Sequence, residues 1–209
     1  SNALSNALTT IVSRTGSASA VAANSNSLMT NGRIYQAKFN SGDWSGQLLS
    51  TPIGANGVLG VTEWDAGLVS LASNVINPAS RIMITKGSSD GVAFQYANLA
   101  TAQKVLIDKN AAGTVDNCGL ERVFYLRGDA SHENASGTFT CASTTTVNNF
   151  RVRTSSKLGD IVNSGPIYIG KPSAGYSDVD YPGYGAFRNN YKDRTPMIYV
   201  GANDGILHG

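Results

Sequence analysis

The sequence predicts a mainly β fold with short helical insertions, and three observations carry that reading. Alternating or β-branched segments recur along the 209 residues, separated by Gly, Asn, Asp and Ser turns. A strand, tight turn and strand element occurs twice, as Gly54-Ala55-Asn56-Gly57-Val58-Leu59 and as Gly201-Ala202-Asn203-Asp204-Gly205-Ile206-Leu207; repetition of such an element is what a blade-built fold shows. Charged residues make up only 14% of the chain, against roughly a quarter in ordinary soluble domains. Gly, Ser, Asn, Thr and Ala take their place, a palette common in secreted β-rich bacterial proteins.

The elements follow in order. Ser1-Asn2-Ala3 has the look of a scar from tag removal and is set apart from the fold. Residues 4–30 are small and polar and read as a partly ordered lead-in, with one short strand at Ala18 to Val21. Residues 33–40, 46–53 and 58–67 read as three strands joined by Gly/Asn turns, an antiparallel meander. Asn77-Pro78 marks a turn, and residues 81–87 and 91–97 read as two further strands around Gly87-Ser88-Ser89-Asp90-Gly91. The apolar spacing after Asn98 fits a helix, as does residues 119–128, where Leu120, Val123, Phe124 and Leu126 share one side and Gly128 can close the end. Residues 129–149 read as loop, and 161–169 as a buried strand with Pro166 at a bulge or edge. Residues 184–192 suit a short helix. Met197 to Val200 then enters an Asn203-Asp204-Gly205 hairpin turn.

Composition excludes some functions. A net charge of +2 with scattered basic residues gives no footprint for nucleic acid, and no apolar run approaches the ~18 residues of a membrane span. Cys118 and Cys141 both sit in polar, Gly/Ser/Asn-rich surroundings, which suggests a disulfide and an oxidising compartment; the other reading is two unrelated thiols.

Several motifs invite a chemical reading and do not sustain it. Gly165 to Lys171 has the spacing of a phosphate loop, but its middle is Ile167-Tyr168-Ile169 and Pro172 stands where a hydroxyl and an N–H are needed. Asp178-Val179-Asp180-Tyr181-Pro182-Gly183 begins like a calcium loop, but the third ligand position is proline and the closing glutamate would be Asn189. Arg127-Gly128-Asp129 is the tripeptide that integrins read, here at the end of an apolar helical run where Gly128 is a natural cap. His132 and His208 lie in no metal spacing, and there is no nucleophile elbow. No catalytic, cofactor-binding or metal residue is assigned.

The stretch from Phe150 to Pro172 resembles the C-terminal region of the PilY/PilC family of type IV pilus tip adhesins and biogenesis factors. Its carrier is Leu158-Gly159-Asp160-Ile161-Val162-Asn163-Ser164-Gly165-Pro166, preceded by an arginine-containing segment that is a strand in that family. Tyr35 to Phe39, Gly42-Asp43-Trp44-Ser45-Gly46, Trp64-Asp65-Ala66, Tyr125 to Asp129 and Tyr199 to His208 are similar to the family's other landmarks, in the same order. The resemblance covers roughly residues 33–209.

The resemblance implies an incomplete β-propeller made of antiparallel meander blades, with residues 31–209 as its first portion and the sequence stopping inside a blade. It implies a non-enzymatic role in pilus assembly, twitching motility and attachment to host or abiotic surfaces. Pilins and minor pilins would be partners, in the periplasm, at the outer membrane or at the pilus tip. Calcium is an expectation for the longer protein, with no ligand carried over here, and exposed strand edges lead us to expect self-association. Two rival readings are a quinoprotein dehydrogenase-like propeller, whose docking repeats and adjacent cysteines are lacking, and a secreted glycan-binding β-module.

Overall fold

A computed structural model describes residues 18–23, 32–54, 57–71 and 77–209. The expected tag scar, most of the lead-in, the centre of the first repeat at 55–56 and residues 72–76 lie outside the described residues. The protein is mainly β with antiparallel sheets and short helices. It divides into two compact units, one formed by residues 1–69 and 158–209 and the other by residues 70–157.

In the first unit, β1 (Ala18–Ala23), β2 (Arg33–Asn40), β3 (Ser45–Pro52) and β4 (Trp64–Asp65) form a four-stranded antiparallel sheet in sequence order. β2 and β3 pair along their full length, from Arg33 with Pro52 to Asn40 with Ser45. Period-two alternation puts Tyr35 and Ala37 of β2 and Leu48 of β3 on the buried face. They meet Leu158, Ile161 and Val200 in one core, with Tyr168 stacked on Tyr35 at 5.9 Å between ring centres.

The third predicted strand is mostly not a strand. Of residues 58–67 only Trp64–Asp65 joins the sheet. Opposite the missing part stands Pro52, which has no N–H to give the ladder. Its carbonyl accepts from Gly60 N, and Leu59 touches Ile53 only as an isolated bridge. The Asp65 carboxylate then accepts the N–H of Gly67 at 2.7 Å and starts helix α1 (Ala66–Leu71).

In the second unit, β5 (Ile84–Lys86) and β6 (Gly91–Ala93) form the expected hairpin but are shorter than predicted, because the chain turns into a 3-10 helix at Tyr96–Asn98. Helices α2 (Thr101–Ile107) and α3 (Gly119–Leu126) stand where the apolar spacing placed them. Gly128 follows α3 at φ 105°, a conformation that favours glycine. Residues 129–149 are not all loop: β7 (Thr138–Thr140) and β8 (Thr146–Asn148) pair as a short hairpin. Its Phe139 stacks on His132 at 4.0 Å and packs edge-on against Phe150.

The arginine-containing segment after Phe150 is not a strand. The N–H of Arg153 goes to the Glu133 carboxylate instead of a ladder partner. The strand expected over 161–169 shrinks to β9 (Ile167–Ile169). Pro166 immediately before it has no N–H, and Ser164 is engaged through its side chain. β9 pairs with β10 (Met197–Gly201), which pairs with β11 (Leu207–His208), in a three-stranded antiparallel sheet of the first unit. Helix α4 (Tyr184–Asn190) lies between β9 and β10 in sequence.

Candidate functional site

Three stretches of the first unit meet at one point: the start of β3, the segment Leu158-Gly159-Asp160 and the β10–β11 turn. Gly46 N donates to the Leu158 carbonyl at 2.8 Å, and Ser45 bridges Gly159. The approach is so close that a Cβ on Gly46 would lie 2.0 Å from the Gly159 carbonyl oxygen. A Cβ on Gly159 would in turn lie 2.7 Å from the Asp204 Cβ. Only glycine at both positions lets the three segments stack.

Side chains close the junction. Asp204 Oδ2 accepts the N–H of Gly159 at 3.0 Å, and Oδ1 accepts that of Ile206 at 3.0 Å. His208 Nε2 lies 2.9 Å from Oδ2 and 3.2 Å from Oδ1. Asn203 donates its side-chain amide to Asp160 Oδ2 at 2.6 Å and its backbone N–H to the Asp160 carbonyl at 2.9 Å. Ser164 Oγ accepts the N–H of Gly201 at 3.1 Å. Leu158 and Ile161 meanwhile enter the core. Each oxygen of Asp204 takes one backbone N–H, with the single His208 Nε2 shared between the two, so the arrangement clamps backbone.

Burial pushes the Asp204 carboxyl up, but the hydrogen bond and charge of His208 and the two backbone N–H groups outweigh it and hold the carboxyl below its ordinary value. A group shifted in this direction stabilises the fold fully above the unfolded carboxylate value, near ~3.9, and that contribution is lost as pH falls through the depressed folded value. Asp204→Asn is therefore expected to cost about 2 kcal/mol at neutral pH. The gap to the unsubstituted chain should narrow as the solution is acidified below pH ~4. Urea unfolding followed by circular dichroism across that range checks it, and a gap that stays constant with pH contradicts it.

The second unit holds the two cysteines. Cys118 and Cys141 form a disulfide with Cα atoms 5.5 Å apart, closing a separation of 23 residues. A loop of that size contributes about 3 kcal/mol in the chain-entropy picture. Glu121 lies beside the two sulfurs, which makes this trio the metal-like grouping found among the described residues. With both sulfurs bonded to each other there is no thiolate to offer a cation. Glu121 Oε1 accepts the N–H of Ala142, tying α3 to the turn after β7.

The sequence-level candidates resolve as follows. Arg127 of the integrin-like tripeptide is 4% exposed, and its guanidinium donates to the carbonyls of Pro78, Phe94, Ala79 and Arg81 at 2.7–3.2 Å. The Asp129 carboxyl accepts from Ser131 and is held below its ordinary value chiefly by that residue's hydroxyl. In the calcium-like loop, Asp178 accepts from Gly185 N and Asp180 from the Ser177 hydroxyl, so the two carboxylates serve separate local turns. Ile167-Tyr168-Ile169 of the apparent phosphate loop is β9. His132 stacks on Phe139, and His208 belongs to the Asp204 clamp.

Sequence reasoning missed Arg122 and Arg153 as anchors. Arg122 forks onto Asp116, lowering that carboxyl, and also donates to the Ile107 carbonyl. For Arg122 the signal available was a charged pair, Glu121-Arg122, inside an otherwise apolar helix.

No protein-family profile matches the chain, and no solved structure matches it. Curated proteins do. The chain is 31% identical over 199 residues, 92% of its length, to a type IV pilus biogenesis factor PilY1 homolog of Xylella fastidiosa. It is 33% identical over 193 residues, 84% of its length, to the type IV pilus biogenesis factor PilY1 of Pseudomonas aeruginosa strain PAK. It spans 14% of the first relative's length and 15% of the second's. At 31–33% identity over 84–92% of its length to these proteins, the chain belongs to the PilY1-like family of type IV pilus biogenesis factors.

Proposed function

We propose that this segment is a non-enzymatic, structural portion of a pilus-associated protein, forming antiparallel meander blades of a β-propeller. The parent protein would support pilus assembly, twitching motility and attachment to host or abiotic surfaces, working with pilins and minor pilins in the periplasm, at the outer membrane or at the pilus tip. One observation carries the reading: the segments that resemble the family's long motifs converge on a mechanical joint. Leu158 and Ile161 fill the core while Gly159, Asp160 and Ser164 fasten the following hairpin. Residues used this way hold the following hairpin in register. Among the described residues no helix is long and apolar enough to cross a membrane.

The test is chromosomal. Deleting this segment in frame from the full-length gene is expected to abolish twitching zones and surface pili, with restoration by the intact gene. Dye reduction by the purified full-length protein with added pyrroloquinoline quinone and calcium should stay at background. Normal piliation and motility in the deletion strain would overturn the pilus reading, and quinone-dependent turnover would overturn the non-enzymatic one.

A further inference from the structure

Helix α4 and the loop before it carry a run of contacting rings. Tyr176 lies 4.6 Å from Tyr181 and 5.2 Å from Tyr184, Tyr184 lies 6.0 Å from Phe187, and Phe187 lies 4.9 Å from Tyr191. Tyr176, Tyr181, Phe187 and Tyr191 are each between 42% and 56% exposed. The loop that presents them is fixed in shape. Asp178 accepts the N–H of Gly185 at 2.7 Å, and any Cβ on Gly185 would strike that carboxylate at 2.5 Å. Clustered exposed rings of this kind mark binding surfaces more than folding needs.

Beside the rings, within the first unit, lies a cleft of about 360 Å³ whose walls include Tyr168, Tyr184 and Phe187. That volume is at the small end of small-molecule sites, roughly 300–1,000 Å³. Its charged lining is Lys171 and Arg194, with no carboxylate among the described lining residues. Arg194 donates Nε to the Gly170 carbonyl at 2.5 Å, which fixes the guanidinium and leaves its terminal amino groups for a ligand. Lys171 is exposed at the rim. Of the acids near it in sequence, Asp178 and Asp180 are turned to Gly185 and Ser177, and Asp193, next to Arg194, is exposed and does not line the cleft.

We propose that this cleft binds a short acidic saccharide, its carboxylate between Lys171 and Arg194 and its pyranose faces on Tyr184 and Phe187. A guanidinium fork and an ammonium together suit a carboxylate. A pyranose offers a face of positively polarised C–H bonds to the negative face of an aromatic ring, while its hydroxyls reach Ser173 and the tyrosine hydroxyl tips. An alkyl chain would leave the two cations unmatched. The ring strip leading away from the cleft offers platforms for further sugar units. The inference stands on the cleft alone, whether or not the parent protein mediates attachment.

Titration calorimetry on the 209-residue chain, with 3′-sialyllactose, trigalacturonate, lactose and a hexaglutamate peptide as ligands, tests it. At least one acidic sugar is expected to bind about tenfold or more tightly than lactose. Lys171→Ala is expected to weaken that binding several-fold and Phe187→Ala to abolish it, with thermal unfolding unchanged for Lys171→Ala because that side chain is exposed. Should Phe187→Ala perturb folding, Lys171→Glu gives the same information from the rim and should remove binding. Equal affinity for lactose and the acidic sugars, binding of the peptide alone, no binding of any saccharide, or indifference to Lys171→Glu would each overturn the proposal.

Discussion

Arg127→Met is expected to destabilise the 70–157 unit by about 4 kcal/mol. The guanidinium is buried, and its partners are backbone carbonyls from separate stretches of chain: Pro78, Ala79, Arg81 and Phe94. A hydrogen bond from a charged donor is worth about 1.5–3 kcal/mol, and a buried carbonyl left without a donor loses about 1–3 kcal/mol. Methionine keeps much of the apolar stem, so what is lost is the fork. Arg127→Lys should recover only a small part, because one ammonium cannot span carbonyls that a planar five-donor group reaches together. Urea unfolding measures the total. Amide exchange adds the location: protection should fall first at the 78–81 turn and around Phe94. A loss below about 1 kcal/mol would mean that water replaces the fork without penalty. The same number bears on the Arg127-Gly128-Asp129 tripeptide, since a receptor reading it as a loop tip would have to extract this guanidinium first.

The parts of the fold legible in the sequence are those where one local signal decides the outcome. β2 and β3 were readable because alternation and the intervening Gly42 turn agree, and the NDG hairpin because Gly205 takes φ 80° at the place the turn requires. α3 was readable from its apolar face. Misreadings arose where a side chain takes a backbone bond that a ladder would otherwise hold. Glu133 takes the N–H of Arg153, Ser164 that of Gly201 and Asp65 that of Gly67. The first leaves an anchored irregular segment where a strand was expected, the second holds the end of β10 from a residue outside any strand, and the third starts a helix; the partner can lie 37 residues away, beyond any local window. The hairpin β7–β8 was hidden by its Thr-rich composition, although threonine is β-branched and Phe139 and Val147 face each other across it. The family motif signalled that residues 158–166 matter. Only three dimensions disclose why: Gly46, Gly159 and Asp204 come from distant places and leave no room for a Cβ on either glycine.

Glu133→Leu is expected to cost about 3–5 kcal/mol, and Arg153→Met a comparable amount, because each strands the opposite charge in a dry site. Arg153 and Glu133 are only 8% and 6% exposed. Glu133 accepts from Arg153 N at 2.8 Å and from Arg153 Nε at 2.7 Å, while Nη2 also donates to the Asp129 carbonyl at 3.1 Å. The guanidinium lies 3.7 Å over the Tyr125 ring, and Tyr125 packs on Phe150 at 4.8 Å. The pair thus pins the chain after Phe150 to the α3 end of the unit. Desolvating both charges already offsets much of their attraction, so the pair's net worth is small even though breaking it is costly. The double variant Glu133→Leu/Arg153→Met should therefore be less destabilised than the sum of the singles, by about 1–3 kcal/mol in a urea double-mutant cycle. Glu133→Gln separates shape from charge: it keeps an acceptor for the Arg153 N–H but leaves the guanidinium uncompensated, so it should fall between the unsubstituted chain and Glu133→Leu. Additive singles would show instead that the cation is held mainly by Tyr125 and the Asp129 carbonyl. In that case Tyr125→Leu, and not Glu133→Leu, would be the substitution that releases this stretch.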